Sequence, residues 1–283
     1  MVTEILALPN LSIFSVPQNE FTGEISPMFG SAGMLETLDL SSNQLTGGIT
    51  QDFLEQPMTT LRLFENELTD KLPEFPFTTT LSEFSIGNNQ FTGTIPDSIS
   101  FASELTTLDI SYNNLDGTMP AVILGELFLK EFYANNNNFQ GPLPLSVANN
   151  VWFSTLETLV LNSNQFTGSI PTLIGDLPLL EDLRLSDNDL AGEIPETLYS
   201  LTGLFRLELA DNMLTGTISP QFGQLTSLER LEIQFNGFTG SVPFCSADTE
   251  IVIEADCLPA DNPPVDCSCC TTCCNPETLE CSD

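Results

Sequence analysis

The chain contains no histidine, and its 283 residues include only six lysines and arginines against 39 aspartates and glutamates, a formal net charge of −33. The missing imidazole excludes Ser-His-Asp and Cys-His nucleophile systems, histidine-bearing metal sites and histidine pH switches. The shortage of cations excludes nucleic acid and anionic lipid as partners. It favours cationic partners, divalent ions or plain solubility, and a solvated acidic surface is the simplest reading. No apolar run reaches the roughly 18 residues of a membrane-spanning helix, so no membrane contact is expected within the chain. The opening MVTEILALPN has neither the basic nor the apolar stretch of a secretory leader and reads as a processed start. No cysteine precedes residue 245, and no catalytic residue, cofactor or metal is assigned. An enzyme is not expected.

What is present is a repeat. The segment LNSNQFTGSIP (161–171) recurs as LSSNQLTGGIT (40–50), IGNNQFTGTIP (86–96), ISYNNLDGTMP (110–120), LSDNDLAGEIP (185–195), LADNMLTGTIS (209–219) and IQFNGFTGSVP (233–243). Weaker copies start at 16, 63 and 134. The asparagines in register are Asn19, Asn43, Asn66, Asn89, Asn113, Asn137, Asn164, Asn188, Asn212 and Asn236, spaced by 24, 23, 23, 24, 24, 27, 24, 24 and 24. Apolar residues lie eight, five and three positions before each, giving LxxLxL.

Each residue type has a task. The LxL alternation predicts a short strand with its leucines inward, and successive strands stack at about 4.8 Å into a parallel sheet. An inward asparagine has a donor and an acceptor end for backbone groups where each coil turns. The following glycine suits a left-handed turn, so Asp70 in that place predicts a strained or reshaped one. Ile-Pro then predicts an extended segment with limited pairing. The fold class is an α/β leucine-rich-repeat solenoid: a right-handed β-α superhelix with a parallel concave sheet and short 3₁₀ or helical convex turns. Ten repeats fill 1–243, and a cysteine-rich cap fills 244–283.

The NxΦ(T/S)GxΦP half resembles the plant-type leucine-rich repeats of receptor-kinase ectodomains, receptor-like proteins and polygalacturonase inhibitors. The resemblance covers 8–243 and implies a curved, twisted solenoid used for binding. Two departures stand out. The cysteine-paired N-terminal cap usual in that family is missing, which predicts a fragment or an abnormal start, with a fraying first coil. The 27-residue interval carries extra residues, LSVANNVWF (145–153), with the only tryptophan, Trp152, as a contact loop or as packing over a wider coil.

The eight cysteines are Cys245, Cys257, Cys267, Cys269, Cys270, Cys273, Cys274 and Cys281. Ile251, Ile253 and Asp256 repeat the spacing of an eleventh strand, with Asp256 in the asparagine position. A solenoid end exposes apolar core that a cap must cover. An even cysteine count in a short Pro- and Asp-containing tail predicts a disulfide-stapled cap, with 105 possible pairings. Adjacent cysteines are expected to bond elsewhere. The rival reading is a thiolate metal site at Cys270-x-x-Cys273; a redox pair lacks its βαβ context. The tail also resembles the CxCCTxCC ending of secreted or surface leucine-rich-repeat proteins of microalgae such as diatoms.

A ligand is expected on the concave strands. Five of the six basic residues (Arg62, Lys130, Arg184, Arg206, Arg230) lie there, and arginine's fork suits carboxylate or phosphate. The candidate residues are Arg62, Tyr112, Tyr133, Arg184, Arg206, Glu208, Arg230, Glu232 and Phe235. The competing reading is a cross-strand charge ladder, Asp182 with Arg206 and Arg184 with Glu208, contributing about 0.2–1 kcal/mol per pair. A threonine file (Thr22, Thr46, Thr69, Thr92, Thr167, Thr215, Thr239), interrupted by Asp116, Gln140 and Ala191, is ordinary for such repeats but suits ordered water, ice or polysaccharide. The acidic loops have no calcium-loop spacing, and Asn10-Leu11-Ser12 is a glycosylation sequon.

The reading is an extracellular or cell-surface recognition module for a protein, peptide or polysaccharide ligand. Its alternatives are a secreted inhibitor of a wall-degrading hydrolase and an adhesive solenoid binding wall, mineral or ice.

Overall fold

A computed structural model describes residues 10–31, 33–125, 127–145, 155–242, 251–257, 265–267, 270–275, 278 and 280–282. Residues 1–9, Trp152 with the rest of 146–154, and Cys245 and Cys269 lie outside them. The chain divides into two compact units, changing over from Phe139 to Gln140.

In the first unit, parallel strands run Ile13–Ser15, Thr37–Asp39, Thr60–Arg62, Glu83–Ser85, Thr107–Asp109 and Glu131–Tyr133. Their central residues align as Phe14, Leu38, Leu61, Phe84, Leu108 and Phe132. From Leu38 onward these side chains are fully buried. In the second unit, Thr158–Val160, Asp182–Arg184, Arg206–Glu208, Arg230–Glu232 and Val252–Ala255 align Leu159, Leu183, Leu207, Leu231 and Ile253 in the same way. The period-2 alternation puts every flanking residue on the outer face of its sheet. After Ile-Pro the chain enters a 3₁₀ turn at Asp97–Phe101, Thr172–Asp176 and Glu196–Ser200, whereas the second and fifth repeats enter short α-helices at Gln51–Leu54 and Val122–Gly125. The 3₁₀ turns plug Ile99, Ile174, and Leu198 with Tyr199, into the core.

The asparagines form ladders within the units. Asn113 Nδ2 donates to Ile110 O and Ser111 O of its own coil and to Ile86 O of the preceding one, while its Oδ1 accepts from Phe91 N at 2.9 Å. Asn43, Asn66, Asn89, Asn137, Asn188, Asn212 and Asn236 repeat this arrangement. Burial is uneven. Asn89, Asn113, Asn137 and Asn188 are buried and the others half-buried, except Asn19, which is exposed and whose side-chain amide donates to Val16 O and Pro17 O of its own coil. Asn164 bonds Leu161 O and Asn162 O.

A second regularity is invisible in residue type. The residue before every ladder asparagine has a left-handed backbone, from Tyr112 at φ 49° to Asp187 and Phe235 at 56°, and none is glycine. That conformation costs roughly 1–2 kcal/mol for an L-residue. The kink lets two consecutive N–H groups reach the next coil, as when Asp211 N donates to Gln234 O and Asn212 N to Phe235 O.

The Thr-Gly segments do more than extend. They pair into a second parallel ladder: Thr22–Glu24 with Gln44–Thr46, Thr92–Gly93 with Asn114–Thr118, and Gln165–Gly168 through Asp189–Gly192 and Met213–Thr217 to Gly237–Ser241. The pairing ends before the Ile-Pro step, in keeping with proline limiting further pairing. At Gly117, φ is 76° and a Cβ would lie 2.8 Å from Thr94 Cγ2, so the glycine serves both turn and packing. In the third repeat Asp70 takes the same left-handed turn at φ 71°, and pairing shrinks to a single Lys71–Thr92 bridge.

The terminal coil is closed by disulfides. Cys257 pairs with Cys273, Cys267 with Cys270 and Cys274 with Cys281. Thr272–Asn275 continues the parallel sheet beside Val252–Ala255, and Glu280–Ser282 folds back antiparallel. The Cys270-x-x-Cys273 pair is therefore split between two bridges, which removes it as a metal or redox unit.

Candidate functional site

In the first unit, Arg62 projects outward from its strand and forms a bidentate pair with Glu83 on the next, both hydrogen bonds being 2.6 Å. Tyr133 stands half-buried on its strand in register with Asp109, and Tyr112, just before the ladder, is 56% exposed. Asp109 accepts from Ser111 N and Oγ in its own turn and, at 3.4 Å, from Ser85 Oγ on the preceding strand.

In the second unit the outer face carries a run of alternating charge. Asp182 lies opposite Arg206, and Arg184 opposite Glu208, in register. The pairing differs from the expected cross-strand ladder. Asp182 binds Arg184 on its own strand, with Nε to Oδ1 at 3.0 Å and Nη2 to Oδ2 at 2.7 Å. The two positions share a face, and the long arginine stem spans the two-residue step while the short aspartate stays on the sheet. Arg184 reaches Glu208 only at 4.0 Å. Arg230 is hydrogen-bonded to Glu232, bonds Glu254 at 3.2 Å and contacts Glu208 at 3.7 Å. Gln234 donates to Glu254 at 3.1 Å.

Arg206 is the exception. Its Nε approaches Glu208 at 3.8 Å and has no hydrogen-bond partner among the described residues. Burial and the Glu232 charge hold the Glu208 carboxyl above its ordinary value, against the lowering effect of Arg184 and Arg206. Burial and Glu232 likewise raise Glu254, against Arg230. The face thus has more anionic charge than its three arginines compensate. Phe235 is half-buried beside this run, its left-handed backbone turned toward the ladder.

The structure brings Arg184, Arg206, Glu208, Arg230 and Glu232 into one ion network. Arg62, Tyr112 and Tyr133 belong to the first unit and are described with it. Sequence reasoning omitted Glu83, Asp182 and Glu254 from the site, although each stands in an outward strand position beside an arginine column. The threonine file is placed on the second ladder, where Thr92, Thr167, Thr215 and Thr239 are exposed.

Stacked coils, an asparagine ladder and a disulfide-bonded terminal coil define a leucine-rich-repeat solenoid with a cysteine-rich cap. The Leucine Rich Repeat family model matches residues 34–55, 80–102, 104–125, 155–177 and 179–201. Receptor-like protein 35 of Arabidopsis thaliana is 33% identical over 167 residues, 57% of this chain and 14% of the relative. The structure titled "Plant peptide hormone receptor RGFR1 in complex with RGF2" superposes with a TM-score of 0.81 at 30% identity, covering 94% of this chain and 41% of that one. A TDR receptor structure gives 0.79 at 32%, covering 88% and 43%. Within that class the chain is similar to plant receptor-like proteins and receptor ectodomains, and it spans less than half the length of each of these relatives. Among the described residues no helix is long and apolar enough to cross a membrane.

Proposed function

We propose that the chain is the ligand-recognition part of an extracellular or cell-surface receptor-like protein, with 1–243 as the binding array and 244–283 as its cap. A protein or peptide ligand docks on the outer strand face between residues 182 and 235. The observation that carries this reading is the divided use of the arginines. Arg62, Arg184 and Arg230 are hydrogen-bonded to carboxylates, whereas Arg206, in the middle of the second unit's face, makes only a 3.8 Å contact to Glu208 through a buried Nε and leaves its side chain 31% exposed. A guanidinium held in place by neighbours but not consumed by them suits a ligand carboxylate or carbonyl. Two similar structures are receptors, one of them a plant peptide hormone receptor in complex with RGF2. Paired cysteines suit the oxidising compartment outside the cell.

The test is selection of a random 12-residue peptide library on the immobilised chain, with hydrogen exchange on the selected complexes. Protection should fall on the strands at 182–184, 206–208 and 230–232, and Arg206→Ala should weaken binding roughly tenfold, about the loss of one good charged contact. Protection elsewhere with unchanged affinity in Arg206→Ala would refute the assignment.

A further inference from the structure

Away from the strands, on the turn side of the first unit, two phenylalanines from successive repeats stack face to face. Phe77 and Phe101 have ring centroids 3.7 Å apart and planes 28° from parallel. Phe77 is 83% exposed, more than any other large apolar side chain described. It is held out deliberately by local structure. Phe75, two residues earlier, is buried edge-on against Phe84, and the intervening Pro76 fixes the direction of the chain. Phe101 stacks on one face of the Phe77 ring, and both rings line an open groove of about 570 Å³.

Two carboxylates, Glu55 and Glu74, line that groove. Gln51 Nε2 donates to Glu55 at 3.2 Å. Ser98 Oγ donates to Glu74 and itself accepts from Phe75 N at 2.9 Å. Both carboxylates are thus oriented by neutral donors, and neither has an ion-pair partner among the described residues. With six basic residues against 39 acidic ones, the chain has little positive charge of its own to supply.

We infer that this platform is a second binding surface, independent of the strand face, for a lysine- or arginine-bearing segment of a partner protein. The electron-rich face of an exposed ring attracts a cation within about 6 Å of its centroid, and the two carboxylates complete the charge match. Phe101 keeps Phe77 in one orientation, so little side-chain freedom is lost on binding. An anionic partner is repelled by the same carboxylates.

The experiment titrates the full chain, isotopically labelled, with a pentapeptide carrying two lysines and with its norleucine counterpart. Amide shifts in response to the lysine peptide should centre on 51–55, 74–78 and 98–101. Phe77→Ala changes no charge and removes an exposed group, so its fold should be intact. Its affinity for the lysine peptide should fall about three- to fivefold, the effect of one exposed cation–π contact. Glu74→Gln should weaken binding, and trimethylation of the lysines, which keeps their charge, should not abolish it. Shifts centred elsewhere, equal affinity in Phe77→Ala, or equal binding of the norleucine peptide would overturn the inference. So would a cello-oligosaccharide that binds the platform while the lysine peptide does not.

Discussion

Asp256 stands where ten upstream coils have asparagine, and substituting Asp256→Asn would restore the repeat. The structure predicts that this change destabilises the protein. In an upstream coil, the N–H of the left-handed residue and of the ladder asparagine donate to two carbonyls of the next coil, as Asp187 N does to Ala210 O and Asn188 N to Asp211 O. At the last complete repeat those two donors are Phe235 N and Asn236 N. They instead meet the two carboxylate oxygens of Asp256, at 2.8 and 3.1 Å. The carboxylate thus replaces a pair of backbone carbonyls and ends the ladder. Asp256 is 1% exposed, so water cannot take over. An asparagine has one oxygen, and its NH2 would face the second N–H as donor against donor. Losing one charge-assisted bond and orphaning a buried N–H costs about 1.5–3 kcal/mol, partly offset by relief of the buried charge, for a net of roughly 1–3 kcal/mol. Solenoid ends open locally, so a global melting curve dilutes the effect. Hydrogen exchange at Phe235 and Asn236 reads it directly and should accelerate about tenfold to a hundredfold, at 1.4 kcal/mol per factor of ten. Exchange as slow as in the parent protein, with equal or higher stability, would show that Asp256 is only a degenerate asparagine.

Inside the ladder the opposite substitution should be worse. Asn113→Asp removes the donors to Ile86 O, Ile110 O and Ser111 O and buries a repelled carboxylate; a loss of about 3–5 kcal/mol is expected by urea unfolding at pH 7, smaller near pH 4. The carboxyls of Glu208, Glu254, Asp211 and Asp256 are all raised, chiefly by burial. A group that holds its proton more tightly when folded gives stability that is full below its unfolded pKa and falls as pH rises through the window up to the folded value. Melting temperature should therefore rise on acidification from pH 7 towards about pH 4.5, and a steady fall over that range would contradict the assignment. Arg184→Ala leaves Asp182 buried and unpaired and should cost about 1–3 kcal/mol. By contrast, Arg206→Ala should stay within about 0.5 kcal/mol, and equal losses in thermal unfolding would reject the unequal use of these arginines. Replacing both Cys274 and Cys281 with serine opens a bridge of sequence separation 7. This should cost the terminal hairpin about 2–3 kcal/mol by the loop-entropy relation, seen as faster exchange at 272–275 while the strands before 242 keep their protection.

Legibility in the sequence followed the length scale of the cause. Leu38, Leu61, Leu183 and Leu207 could be placed because one alternation repeated ten times admits a single register. Asn113 could be given its task because an inward amide has few ways to be satisfied. The eleventh strand was visible in Ile251, Ile253 and Asp256 for the same reason. By contrast, Arg62, Arg184 and Arg206 look alike in their columns, yet Arg62 reaches across to Glu83, Arg184 folds back on Asp182 and Arg206 is left short. Those choices depend on stem length and on which carboxylate is nearer after packing. The stacking of Phe77 on Phe101 joins residues 24 apart through turns with no shared motif.

By itself the sequence determined the repeat length, the inward and outward faces, the ladder and the place of the cap, because these are periodic and each coil repeats the same burial problem. Only the tertiary structure decided which cysteines join, which carboxylate each arginine takes, and that the carboxylate of Asp256 stands in for two carbonyls. Each of these is a single event, determined by which groups meet once the coils are stacked, and periodicity carries no information about it.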